Sequence, residues 1–234
     1  MIEKKTVSGE LPVPLFVGEE LLVVQKPAGM PTTAPSEDTP CLVRWVEEEF
    51  PELRAHPTSR LDSPVSGIVT FALSKRANQR LLEARRAGTY ERLYVGLTLH
   101  EVSPEKGAWS WPISIDPKNA KLRIAGPGRG ERDALTDYEV VERSTHATVL
   151  HLRPRTGRTH QLRVHAAKAG VPHFGDHAYG GERRLTLPDG QVLTPRRVML
   201  HCHRVSFPWG NTEMQFESPL DAGFDSTMRA ALGA

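Results

Sequence analysis

The sequence predicts an α+β domain built on a central, mixed but mostly antiparallel sheet. Three observations lead there. Short β-branched runs recur along the whole chain, whereas only three segments carry helical spacing. Strands follow strands, with no regular strand–helix alternation of the kind that builds a parallel sheet. No internal repeat or low-complexity tract offers a solenoid or a disordered chain instead.

Taken in order, residues 1–18 read as an irregular lead, with Pro12 and Pro14. Glu20 to Lys26 (ELLVVQK) is a strand stopped by Pro27 and Gly29. Thr39 to Phe50 is a short helix, with Leu42, Val43, Trp45, Val46 and Phe50 near helical spacing. Ser66 to Leu73 (SGIVTFAL) is a buried strand. Ser74 then caps a helix from Lys75 to Ala87 that Gly88 ends. Tyr90 to Leu99 is the next strand. Residues 100–132 loop over the surface around a short strand near Trp109 to Ile115. Ala134 to Val141 and Ala147 to Leu152 form a hairpin. Arg155 to Thr159 is a turn, with Thr159 capping a helix to about Ala169 that stops at Gly170. Residues 180–197 loop, and Arg197 to Phe207 is a further strand. The implied organisation is a lead (1–18), one large domain (19–219) and a tail (220–234).

The 234 residues suffice for a sizeable core, and 38% hydrophobic with 25% charged residues is ordinary for a globular protein. No apolar run approaches the roughly 20 residues that cross a bilayer, and the N-terminus has no apolar signal core. Two cysteines, Cys41 and Cys202, point to a reducing compartment without a disulfide framework, hence a cytoplasmic reading. The net charge is only +2, yet residues 54–100 and 151–204 together carry a surplus of 12 positive charges and hold seven of the ten histidines in the second segment alone. Meeting in the fold, they would form a basic cleft that attracts phosphate chains.

Three constellations carry chemistry. Ser59-Arg60-Leu61-Asp62 precedes the apolar strand, so Asp62 sits in a loop where a carboxylate can act as nucleophile or general base. A turn Asp bonding its own backbone is the plainer alternative. The run Arg155 to His165 (RTGRTHQLRVH) places Arg158 where a helix begins and Arg163 on it, forked donors for phosphate or carboxylate. Tyr94, in Arg92-Leu-Tyr94, offers a phenol that can stack on a base. His160, His165, His201 and His203 lack a convincing metal-ligand spacing, and no phosphate-binding glycine loop or serine-nucleophile motif is present.

Together these stretches resemble the RluA-type family of RNA pseudouridine synthases. Glu20–Pro31, Ser59–Ala72, Glu91–Leu97, Arg132–Glu142, Arg155–Gly180 and Met199–Phe207 occur in the family's order and cover nearly the whole chain. The most specific is RTGRTHQLRVHAAKAGVPHFGDHAYG. The resemblance implies an isomerase that converts uridine to pseudouridine in ribosomal or transfer RNA. Asp62 would be the catalytic aspartate, Tyr94 the active-site tyrosine, and Arg158 the basic residue, preferred over Arg163 because it lies in the turn. Arg60 would help expel the target base. Lys26, His160, Gln161 and Arg163 would join Arg60 in contacting substrate. It implies no cofactor, no metal, no membrane and no obligate protein partner, with the chain acting as a monomer. A second reading keeps the fold as a non-catalytic RNA-binding protein. The family usually has His where Ser59 stands, a basic residue and Thr where Ser63-Pro64-Val65 stand, and Lys where Arg92 stands; the small N-terminal RNA-binding module of many relatives has no room here.

The charge distribution makes a testable statement. RNA affinity should fall linearly with log salt, by roughly 0.7–0.9 in log affinity per phosphate contacted. Equilibrium binding at several salt concentrations measures the slope, and a flat line would remove the basic-cleft expectation.

Overall fold

The computed structural model describes residues 10–34, 36 and 39–233. In chain order the strands are β1 (Val13–Val17), β2 (Leu21–Lys26), β3 (His56–Pro57), β4 (Ser66–Ala72), β5 (Glu91–Thr98), β6 (Lys106–Trp109), β7 (Ile113–Ile115), β8 (Arg123–Ala125), β9 (Thr136–Arg143), β10 (Thr148–Pro154), β11 (Leu185–Thr186), β12 (Val192–Leu193), β13 (Leu200–Trp209) and β14 (Thr212–Glu217). The helices are α1 (Leu42–Glu49), α2 (Lys75–Arg86), α3 (Gln161–Lys168) and α4 (Ala222–Leu232), with a 3-10 turn at His177–Tyr179. The fold is therefore α+β with mostly antiparallel strands, as expected. The chain divides into two compact units, one running to Arg92 and including Cys202–Pro219, the other comprising Leu93–His201 and the residues from Leu220.

In the first unit the strand order is β1-β2-β4-β13, with β14 on β13 and β3 on β4. The reason for β2 and β4 lies in composition. LLVVQK and SGIVTFA are nearly continuous apolar runs, and β4 is buried along its whole length. Helix α2 buries Ala77, Leu81 and Ala84, spaced four and three apart, so one stripe faces inward. Ser74 caps it by accepting from Ala77 N at 3.0 Å. Gly67 has φ +114°, and a Cβ there would stand 2.3 Å from the carbonyl oxygen of Cys202, so no other residue fits. Strand β1 occupies what was expected to be irregular lead. Pro14 is compatible because, among the described residues, β1 pairs only with β2, with a register shift between Pro14 and Phe16. Residues 1–9, the start of that lead, lie outside the described residues.

In the second unit the order is β5-β10-β9-β6. The β9–β10 turn is closed by the Ser144 hydroxyl, which accepts from the backbone N–H of His146 and Ala147 at 3.0 and 3.1 Å. Leu97, Val149, Phe174, Met199 and Phe224 form its core. The expected tail is a helix instead. Asp221 caps α4 by accepting from Phe224 N at 2.9 Å, and Phe224 and Ala231 are fully buried. Apolar residues at that spacing have a place in the core, which a loop would waste. Loop 180–197 likewise contains the small β11–β12 pair.

His173 is fully buried here, its ring against Gly96, where a Cβ would come within 2.9 Å. Burial pushes its imidazole down to about 4; Asp176 opposes that and Arg163 adds to it. In the unfolded chain the ring titrates at its ordinary value near 6.5. Between these two values the unfolded state binds a proton that the folded state refuses, so stability falls as pH drops through that window. The loss approaches about 3 kcal/mol, at about 1.4 kcal/mol per pH unit of displacement. Chemical denaturation at pH 7, 6, 5 and 4 should show His173→Leu losing less stability over this range than the wild type. Parallel slopes would rule out His173 as the source.

Candidate active-site elements

The first unit builds the Asp62 loop. Leu61 is the buried anchor of Ser59-Arg60-Leu61-Asp62, while Asp62 is half-buried and Arg60 is exposed. A single hydroxyl clamps both sides of Leu61: Thr32 Oγ1 donates to its carbonyl at 2.9 Å and accepts from its N–H at 3.0 Å. The backbone of the same region serves α1. Carbonyls of Pro31 and Thr32 accept from Leu42 N and Val43 N, which satisfies first-turn amides that Cys41 does not cap. The turn after Asp62 closes with Val65 N donating to the Asp62 carbonyl at 3.0 Å.

Lys26, expected among the substrate contacts, is fully buried at the end of β2. Its ammonium donates to the carbonyls of Pro27 at 2.8 Å, Met30 at 2.6 Å and Ser63 at 3.3 Å. Three donors meeting three carbonyls satisfy a charge that would otherwise be costly to bury. Gly29, at φ +85°, turns the chain so that its N–H also reaches the Ser63 carbonyl at 2.7 Å. The Ser63 hydroxyl returns a bond to the Gly29 carbonyl at 3.0 Å. Lys26 thus ties the 27–30 turn to the residue next to Asp62. At the loop's start Ser59 Oγ accepts from Thr70 N at 3.1 Å, and Thr70 Oγ1 lies 2.8 Å from the Tyr90 hydroxyl. Two of the positions that depart from the family pattern, Ser59 and Ser63, are hydrogen-bonded parts of this loop.

The second unit holds the other expected residues. Tyr94 is buried on β5, paired across to Leu152 of β10. Arg158 is exposed, and its Nε donates to the Asp133 carbonyl at 2.8 Å. Gln161 is buried. Its Oε1 accepts from Thr156 Oγ1 at 2.7 Å and from Arg158 N at 3.0 Å, and its Nε2 donates to Leu135 O and Thr136 Oγ1. Thr136 in turn bonds His165 Nδ1 at 3.0 Å, and His165 Nε2 donates to the Trp111 carbonyl at 2.9 Å. Burial lowers the His165 pKa, which suits this neutral tautomer. Half of the R-T-G-R-T-H-Q-L-R-V-H run is therefore internal scaffolding.

Arg163 is also buried. Its Nε and Nη2 each bond a carboxylate oxygen of Asp176 at 2.7 Å, a forked ion pair. The guanidinium lies over the Tyr179 ring, 4.9 Å from its centroid. His160, not Thr159, precedes α3, and it does so in the left-handed conformation at φ 58° and ψ 18°. It is the one described non-glycine residue with positive φ. That conformation costs a side-chain-bearing residue about 1–2 kcal/mol. His160 Nδ1 lies 2.6 Å from the Tyr179 hydroxyl, which also accepts from Arg123 N at 3.0 Å. The structure thus brings His160 and Arg163 together on Tyr179 and turns Arg158 toward Asp133. Thr32, Asp176 and Tyr179 were not singled out from sequence, although the last two stand in the G-D-H-A-Y-G stretch.

The remaining histidines have structural neighbours. His201 meets the Phe224 ring edge-on, and His203 Nδ1 donates to the Ser218 carbonyl at 2.8 Å. Among the described residues no group of three or more His, Cys, Asp or Glu could hold a metal ion. No described helix is long and apolar enough to cross a membrane.

Comparison with known proteins places these loops in context. Residues 20–168 match the family described as RNA pseudouridylate synthase. Over 214 residues the chain is 30% identical to the dual-specificity RNA pseudouridine synthase RluA of Escherichia coli (strain K12), covering 88% of this chain and 92% of that protein. It is 35% identical over 164 residues to RNA pseudouridine synthase 2, chloroplastic, of Oryza sativa subsp. japonica; the match takes in 67% of this chain and 36% of that longer protein. The solved structure of human RNA pseudouridylate synthase domain containing 1 shares the fold, with a TM-score of 0.72 over 96% of each chain at 23% identity.

The Lys26 clamp predicts a separation between stability and RNA handling. Lys26→Met removes this donor from the Pro27 and Met30 carbonyls and leaves the Ser63 carbonyl to the Gly29 N–H; it should cost at least about 2 kcal/mol in chemical denaturation. Arg60→Ala, at an exposed position, should stay within about 0.5 kcal/mol of the wild type. Equal stability of the two variants would discount the clamp.

Proposed function

Because the chain belongs to the RNA pseudouridylate synthase family and is an isomerase acting on RNA, we propose that Asp62 is its catalytic carboxylate and that its targets are uridines of ribosomal or transfer RNA. The observation that carries this reading is the Asp62 loop. A half-buried carboxylate is held next to a residue clamped by Lys26, Gly29 and the Ser63 hydroxyl, with Leu61 fixed from both sides by Thr32. Such fixing is what a reacting group needs, since a misplaced carboxylate loses the benefit of proximity. A turn aspartate of no chemical consequence would not require it.

The reaction breaks the N-glycosidic bond of uridine, turns the uracil, and joins C5 to C1′; the proton lost from C5 is balanced by one gained at N1. Nothing is oxidised and no group leaves the RNA. Asp62 acts on the sugar, as nucleophile at carbon or as base toward a sugar proton. The target base must first leave its stack, at a cost of a few kcal/mol. Arg60, exposed beside the loop, suits the space vacated by that base. Tyr94 contributes its ring to stacking and its hydroxyl to proton movement. For the basic role that the resemblance gives to the turn-helix, burial and the Asp176 fork favour Arg163 over the exposed Arg158. Arg158 then serves as a phosphate contact. Ribosomal and transfer RNA are natural targets for such an enzyme, and the reducing compartment inferred from two buried cysteines fits the cytoplasm.

Asp62→Asn tests the central assignment. The amide keeps the size of the side chain but cannot act as a carboxylate base and is a far poorer nucleophile. Isomerisation, followed by tritium release from uridine C5 in ribosomal and transfer RNA, should vanish. Stability should remain within roughly 0.5–1 kcal/mol of the wild type, and RNA affinity should be nearly unchanged. Normal turnover by the folded variant would overturn the assignment.

A further inference from the structure

We propose that the outward face of the β11–β12 hairpin is an RNA-binding surface that grips phosphates of a double-helical part of the substrate RNA through Arg183, Arg184 and Arg196. The inference rests on the reading of the chain as an isomerase acting on RNA and deepens it, because it names a part of the RNA and the residues that meet it.

The argument begins with the alternation of the hairpin. Leu185 pairs with Leu193 and Thr186 with Val192, and residues directly opposite in an antiparallel pair share a face. Leu193 is buried in the core of the second unit, and Leu185 and Leu187 pack against the same core. Thr186 and Val192 are exposed, as are Arg184 and Thr194, which flank them. One face is therefore spent on the fold and the other faces solvent.

The foot of the hairpin is fixed. The Gly175 N–H donates to the Glu182 carbonyl at 3.0 Å, and a Cβ on Gly175 would stand 2.1 Å from the carbonyl oxygen of Arg197. Both arms thus start at Gly175, and the next residue along each arm is Arg183 on one and Arg196 on the other. Arg197 is used inside the unit, paired with Asp221 at the start of α4. Arg183, Arg184 and Arg196 are exposed, and no described residue gives any of them a hydrogen bond or an ion pair.

The acidic residues of residues 181–197 are occupied elsewhere. Glu182 lies 2.7 Å from His100, and Asp189, at the tip, accepts from Gln191 N at 2.9 Å. Three guanidinium groups without counter-charges, held at one foot, repel one another until an anion arrives. The chain acts on RNA, and phosphate is the anion that RNA supplies. The outward residues Arg184, Thr186, Val192 and Thr194 include no aromatic ring, so the face offers no platform on which an unstacked base can lie. Arginine forks and threonine hydroxyls suit the phosphates and 2′-hydroxyls of an A-form helix instead. The foot also lies beyond the end of β5, since Glu182 meets His100, whereas Tyr94 stands in the first half of that strand. At ~3.3 Å per residue, Thr98 is already roughly 13 Å from Tyr94. The hairpin is thus placed to hold RNA that flanks the target nucleotide.

The test replaces Arg183, Arg184 and Arg196 together, once by Ala and once by Lys, and measures filter binding to a short RNA duplex and to one of its separated strands. On the duplex the Ala variant should lose roughly 2–3 from the log–log salt slope, so that between about 50 and 200 mM salt the wild type loses about 15- to 60-fold more affinity than the variant. The Lys variant should keep most of the slope, and the single strand should bind both variants nearly as it binds the wild type. Melting temperatures should not move, because all three positions are exposed. On ribosomal and transfer RNA transcripts KM should rise with the Kd while kcat stays within about twofold. An unchanged duplex slope in the Ala variant would overturn the proposal. So would an equal loss on the single strand, or a Lys variant that falls as far as the Ala variant. If the wild type isomerises uridine in no transcript, the functional reading fails, and the duplex-binding arm still decides the role of the hairpin.

Discussion

A buried ammonium leaves the chain little choice. Lys26 has zero exposure, and its side-chain nitrogen draws three backbone carbonyls around it. Two of those carbonyls belong to the turn that immediately follows β2, and the third belongs to Ser63. The cost of abandoning any of them in a dry interior holds the turn and the Asp62 loop in one geometry. Thr32 repeats the device with a neutral hydroxyl on Leu61, while its backbone serves the start of α1. The loop that bears Asp62 is thus irregular in secondary structure but tied down in its bonding. An irregular loop can face substrate and still hold an atom in place when its backbone groups are saturated from below.

The second unit solves the same problem with a hydrogen-bond chain. Thr156, Gln161, Thr136, His165 and the Trp111 carbonyl form a continuous series in which each side chain gives and receives. It fixes the first turn of α3 from the inside. Arg163 and His160, on the same few residues, are fixed by Asp176 and Tyr179. Burial along the motif changes at the helix start: Arg158 is exposed and His160 half-buried, whereas Gln161, Leu162, Arg163, Val164 and His165 are interior.

Much of the architecture was legible in the sequence. The apolar runs of β2 and β4 and the capping Ser74 with its Ala77, Leu81 and Ala84 stripe announce themselves through composition and period. The failures share a physical cause. Pro14 argues against a strand unless that strand lies on an edge, and edge position is a tertiary fact. The start of α3 was read from the capping preference of Thr159, but Gln161 reaches back to satisfy Arg158 N and leaves His160 in the left-handed position. Lys26 was expected among the substrate contacts, and nothing local in QKPAG reveals the three carbonyls that converge on it. The candidate residues were found through motif order, whereas their division into supporting and reaching groups depends on burial, which only the folded chain displays.

The prolines near the N-terminus have a consequence outside catalysis. Among the described residues strand β1 pairs with β2 alone, and Val13 and Val17 stand about half exposed along it. A strand of that composition could template the addition of a second chain and so promote aggregation. Pro14 removes one amide donor from the strand, and the register shift between Pro14 and Phe16 bends the ladder. Both features spoil the regular row of donors and acceptors that an incoming strand would need. Along the described residues the irregular, proline-bearing strand is a poorer template for an incoming strand than an intact β-branched run would be.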